Sequence, residues 1–132
     1  MGQQQLLLIV LGVIVVGIAV VVGINLFNAN AVSANRDGVV SDLNNLGAMA
    51  QQFYKKPTSM GGGGNDFTGA GSAPSWTMPP QLDTTANGTY TITVAAQQVT
   101  IVGTGTEKND AGVNVEHTAI VTPTSINVTQ TD

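Results

Sequence analysis

The side chains able to do chemistry are few and scattered. Glu107, Asn109, Asp110, Asn114 and Glu116 offer oxygen ligands across a glycine-containing loop. A hard cation such as calcium would accept that donor set, but the spacing matches no EF-hand and no metal is assigned from it. His117 is the only histidine; with no evident Ser, Cys or second His beside it, it reads as a strand-edge residue rather than a catalyst. Gly61-Gly62-Gly63-Gly64 has the look of a phosphate cradle. No Lys-Ser or Lys-Thr pair follows and no strand precedes it, so the run reads as a flexible or close-packed surface turn. Cysteine is absent, which excludes a disulfide framework, a thiolate metal site and covalent haem attachment. Asn87-Gly88-Thr89 and Asn127-Val128-Thr129 fit the N-glycosylation pattern, making Asn87 and Asn127 candidate sugar-bearing positions. No catalytic residue and no cofactor site emerges, and the chain reads as a non-enzyme.

Composition narrows the classes further. The 132 residues carry a formal charge of −4, with Lys+Arg 4 against Asp+Glu 8. The basic residues are only Arg36, Lys55, Lys56 and Lys108, too few and too dispersed for the clustered face that binds phosphate backbones, so no nucleic-acid partner is expected. The length allows at most one small globular domain on a stem.

The stem is the stretch from Leu6 to Ile24, nineteen consecutive residues drawn only from Leu, Ile, Val, Ala and Gly. As a helix it would extend about 28 Å, close to the ~30 Å hydrocarbon thickness of a bilayer. Helix is also the state that satisfies its backbone in lipid. No charged side chain precedes Arg36. A signal peptide would need a basic start and a small-residue cleavage site, and an ordinary anchor would carry basic flanks. The expectation is a mature chain from which a basic leader has been removed. Gln3, Gln4 and Gln5, just before the apolar run, are either a solvated start or, buried among neighbouring helices, a stack of amides that sets subunit registration.

Helical character continues past Ile24. There is no proline from Asn25 to Lys56, and apolar residues recur at Val39, Leu43, Leu46, Ala50 and Phe53 at spacings of three and four. Lys55 and Lys56 suit the end of a helix dipole and Pro57 stops the helix. The organisation expected is residues 1–30 as an apolar helix, 31–57 as the amphipathic half of the same helix, 58–88 as a Gly/Pro-rich loop, and 89–132 as an antiparallel sheet. Phe67, Trp76 and Met78 would anchor the loop. Period-two alternation predicts strands over Thr89–Val94 and Gln98–Val102 as a hairpin, a polar loop from Gly103 to Asn114, a strand over His117–Val121, and a short fourth over Ser125–Thr129. The fold class is α+β: a helix of about fifty residues packed on a small antiparallel sheet of three to four strands.

A short polar start, an unbroken apolar helix beginning Met1-Gly2-Gln3-Gln4-Gln5-Leu6-Leu7-Leu8, an amphipathic extension and a small antiparallel sheet together resemble the type IV pilin family. The resemblance covers the whole architecture, with residue-level similarity confined to about the first thirty positions. It implies that a prepilin peptidase removes a leader, that Met1 is N-methylated, and that the pilus assembly machinery draws subunits from the inner membrane into a filament. The filament core would then be Leu6, Leu7, Leu8, Ile9, Val10, Leu11, Val13, Ile14, Val15, Val16, Ile18, Val20, Val21, Val22 and Ile24, with Met1, Gln3, Gln4 and Gln5 registering the subunits. Two positions depart from the family pattern: Gln5 stands where a glutamate is usual, and Val22 where a proline is frequent. Any melted segment of the helix would fall around Gly17 to Gly23, where glycine is the intrinsic weak point. The expected function is a structural subunit of an extracellular filament. The alternatives are a pseudopilin of a type II-like secretion system and a membrane-anchored extracytoplasmic binding domain.

Overall fold

A computed structural model describes residues 2–69, 71 and 74–132. Helix α1 runs from Gln3 to Lys55 as one element of 53 residues, about 80 Å long. It passes through Gly12, Gly17 and Gly23 without a break. The sequence holds no proline before Pro57 to interrupt it, and Lys56, already extended at ψ 134°, ends it. A 3-10 turn (Thr58–Met60) and a short helix α2 (Pro80–Asp83) lie in the connection that follows.

The sheet has five strands, β1 (Thr84–Thr85), β2 (Gly88–Ala95), β3 (Gln98–Lys108), β4 (Asn114–Val121) and β5 (Ile126–Gln130), arranged in chain order with every neighbour antiparallel. The α+β architecture read from the sequence is therefore present, with the two-residue β1 added at one edge. The expected hairpin pairs Val94 with Val99, Ile92 with Ile101 and Tyr90 with Gly103, so alternate residues of both strands share one face.

That face lies on the second half of α1. Val39, Leu43, Leu46 and Ala50 are buried at helical spacings of four, three and four, against Tyr90, Val99, Ile101, Ala119 and Val121. Full burial of each Val, Leu or Ile is worth about 1.5–3 kcal/mol, so the apolar stripe is what holds the sheet to the helix. Phe67 and Trp76 are buried in the same cluster and Met78 packs at its margin, which places the loop anchors in the subunit's own core.

The expected loop from Gly103 to Asn114 is corrected. Strand β3 continues to Lys108, and the turn is only Asn109 to Val113, closed by Asn109 Oδ1 accepting from the amides of Ala111 and Val113 at 3.0 and 3.1 Å. Gly103 and Gly105 face α1 and are small because the helix crosses over them. A Cβ on Gly103 would lie 2.8 Å from the Tyr90 ring and 2.9 Å from Val39 Cγ1, and one on Gly105 would collide with the Asn35 side-chain oxygen.

The four-glycine run also has a definite role. The amide of Gly63 donates to the Phe53 carbonyl at 2.8 Å, Gly64 to Lys56 at 2.9 Å, and Asn65 to Tyr54 at 2.7 Å. These carbonyls lie at the end of α1, where the following turn is missing, and Phe53 has the Lys56 amide at 3.3 Å as a further donor. A Cβ on Gly62 would strike the Lys56 backbone and one on Gly63 the carbonyl of Asp66. The run is a close-packed cap on the helix end.

Candidate assembly surface

The first half of α1 projects as an exposed rod, with the β3–β4 tip reaching beside it only near Asn25, Asn28 and Ala29. Every residue from Gly2 to Asn30 is exposed, and the large apolar side chains from Leu6 to Phe27 are each at least half accessible. All the core residues named from the sequence lie on this rod: Leu6, Leu7, Leu8, Ile9, Val10, Leu11, Val13, Ile14, Val15, Val16, Ile18, Val20, Val21, Val22 and Ile24. They cover its full circumference, so no face is polar. Leu26 and Phe27, at 61% and 72% exposed, extend the rod. The interleaved Asn25, Asn28 and Asn30 obscured them in the sequence. Gln3, Gln4 and Gln5 form the first turn of α1 and are exposed; Met1 lies outside the described residues. Among those residues this is one helix long and apolar enough to cross a membrane, with a mean hydropathy of 3.3 over its most apolar window.

Polar contacts begin where the rod meets the sheet. Asn35 is buried; its Nδ2 donates to the Asn87 carbonyl at 2.8 Å and its Oδ1 accepts from the Glu107 amide at 3.3 Å. Arg36 forms a two-pronged pair with Asp132 at 2.8 and 2.7 Å. The same carboxylate accepts from Asn109 Nδ2 and from the Glu116 amide. The Arg36 hydrogen bonds hold the Asp132 pKa well below the usual carboxylate range, with Asn109 and Glu116 adding to the effect against the cost of burial. One turn and a half further on, Asp42 Oδ2 accepts from Tyr90 Oη at 2.6 Å, Thr85 Oγ1 at 2.9 Å and Asn87 Nδ2 at 3.1 Å. Burial alone would raise the Asp42 carboxyl, and the three hydrogen bonds together lower it. The partner hydroxyl of Tyr90 is pushed far up, first by burial and then by its bond to Asp42.

The remaining residues singled out from the sequence fall as follows. Asn127 is exposed on β5. Asn87 is half-buried, its side-chain amide donating to Asp42 and packed against Gly38, so a sugar on it would displace that contact. The candidate calcium donors are already engaged in part: Asn109 closes its turn and holds Asp132, Asn114 donates to Gly105, and Glu116 accepts from Thr131 at 2.8 Å. Among the described residues no three of His, Cys, Asp and Glu come together. His117 is corrected from strand edge to interior: it lies on the inner face of β4, 7% exposed, with Nδ1 unpartnered. Burial, then the nearby Arg36 charge, depress its basicity, and Asp132 only partly opposes them.

The chain matches no protein-family model, no curated protein and no solved structure.

Proposed function

We propose that the chain is the structural subunit of an extracellular type IV pilus-like filament, polymerising through the apolar half of α1. The observation that carries this reading is the rod itself: about thirty residues of exposed helix, apolar on every side, uncharged, and continuous with the half that holds the sheet. Lipid and other apolar helices are the environments that can cover such a surface, and a second copy of the chain supplies such a helix. Covering its half-exposed side chains would contribute on the order of 20 kcal/mol per subunit before the costs of association. The unpaired subunit would reside in the inner membrane, and exchange of lipid for neighbouring rods would form the core. The sheet domains, held on the same helix, then make the shell. Head-to-tail repetition of one heterologous contact gives an open helical polymer. By resemblance, a prepilin peptidase and the pilus assembly machinery are the partners, and the polymer is built of identical copies.

The test is negative-stain imaging of material sheared from cells producing the chain, with mass measurement of the N-terminal peptide. Fibres of about 50–80 Å width, a bundle of ~10 Å helices inside a sheet shell, with a methylated Met1, are expected. Purified full-length chain that stays monomeric once detergent is removed, or stays in the membrane with no fibres outside, would refute the reading. Short fibres confined to the periplasm would place the chain in a secretion system instead.

A further inference from the structure

Away from the rod, exposed charges gather at two opposite ends of the globular half, with Asp37 and Asp83 exposed elsewhere. Lys55 and Lys56 are exposed at the end of α1 where the glycine cap folds back. Glu107 and Asp110 are exposed at the tip of the β3–β4 hairpin, which overhangs α1 beside Asn25, Asn28, Ala29 and Val32 and leaves a groove of about 780 Å³. Lys108 shares that tip, so its net charge is negative by one. Asp66, near the lysine end, is half-buried and accepts from Thr68, leaving the two lysines as the exposed charge there. The large apolar side chains exposed outside the rod are, among the described residues, Met60, Val113 and Ile120. Met60 belongs to the lysine end at 66% exposed and Val113 to the acidic tip at 52%.

We infer that these two ends are the halves of one contact between copies: the Lys55-Lys56-Met60 knuckle of one subunit seats in the groove under the Glu107-Asp110-Val113 tip of a second copy further along the fibre. This rests on the filament reading above. The occupant is a second copy because the two ends carry opposite net charge and each presents one exposed apolar side chain, Met60 or Val113, for the other to cover. Asn28 and Lys55 are about 40 Å apart along one helix at 1.5 Å per residue. Two copies offset axially by that amount bring the ends level. Their helices still run side by side, so the second rod passes alongside the sheet-bearing half of the first helix.

The same separation makes the test specific. A water-soluble carbodiimide condenses a lysine amine with a carboxylate into an amide, the carbodiimide taking up the water as a urea. It joins only groups already in contact. Within one subunit these ends are too far apart, so a Lys55 or Lys56 link to Glu107 or Asp110 must join two copies. Wild-type fibres treated in this way and digested should yield that cross-linked peptide, and detergent-dispersed subunits should not. Fibres whose lysines link only to Asp37 or Asp83, or to nothing, overturn the contact while leaving the filament intact; absence of fibres overturns both. In a second arm, Lys55→Glu with Lys56→Glu, and separately Glu107→Lys with Asp110→Lys, should each lower fibre yield roughly tenfold by opposing like charges. All four together should return it to within about twofold of wild type. No recovery in the fourfold variant, with the subunit still folded by circular dichroism, also overturns the contact.

Discussion

Replacing Asp42 with Asn tests the link between helix and sheet more sharply than any core truncation, because shape is kept and only charge is removed. In the native chain one carboxylate oxygen accepts from Tyr90, Thr85 and Asn87 at 2.6–3.1 Å. A hydrogen bond to a charged acceptor contributes about 1.5–3 kcal/mol and a neutral one about 0.5–1.5 kcal/mol, so three bonds lose roughly 3 kcal/mol. Part of that is returned because a charge no longer has to be held out of water. The net loss worked from the geometry is about 1–2 kcal/mol, or about 5–15 °C of melting temperature for a sheet domain of this size. Trp76, the only tryptophan and 5% exposed, reports unfolding by fluorescence in the full chain held in detergent. The pH dependence adds a second readout. The folded Asp42 carboxyl lies below its ordinary value of 3.8, so its contribution is complete above about pH 5 and is lost as pH falls through and below 4. The gap between wild type and D42N should therefore close in acid. A variant that melts within about 2 °C of wild type at pH 7, with an unchanged acid profile, would refute the reasoning.

Other outcomes follow from the same geometry. Gly103→Val should destabilise by about 1–3 kcal/mol or more through overpacking against Tyr90 and Val39, measured by the same melt, while Gly12→Ala, where nothing lies within 4 Å, should leave the melt unchanged. Asn87→Ala should cost about 1–2 kcal/mol by leaving Asp42 short of a donor; Asn127→Ala, on the exposed face of β5, should stay within about 0.5 kcal/mol. Asp132→Ala should leave the Arg36 guanidinium unpaired and cost about 1.5–3 kcal/mol at neutral pH. Because the Asp132 carboxyl is lowered in the fold, this difference too is present above the carboxylate range and fades in acid. Val16→Asp should abolish fibre formation in imaging, since a carboxylate at the middle of the rod costs about 2.5–3.5 kcal/mol even on the most lenient membrane scale.

The helix was legible because its signals agree: no proline before Pro57, a uniform apolar run, then a stripe at Val39, Leu43, Leu46 and Ala50. The β2–β3 hairpin was legible from alternation. What escaped was wherever a glycine or a distant partner decided the matter. Gly103 and Gly105 look like loop residues, and only the crossing of α1 explains why a strand carries them. The Arg36–Asp132 pair joins positions 96 residues apart, and no local pattern announces it. His117 was misplaced because alternation identifies a face, not whether a strand has neighbours on both sides. For the apolar run from Leu6 to Ile24, sequence and structure carry the same information, since its side chains stay exposed along its whole length.

The in-line order of the five strands has a consequence for how the chain folds. Every strand finds its neighbour in the segment made just before it, so pairing needs little search and no threading. The long-range steps are the docking of the sheet on α1 and, last in the chain, the return of Asp132 to Arg36 across 96 residues. That loop is the longest to shut and its entropy cost the largest. Strand β5 is already held by its pairings with β4, so what this last step adds is a clasp that ties the end of the sheet back to the helix.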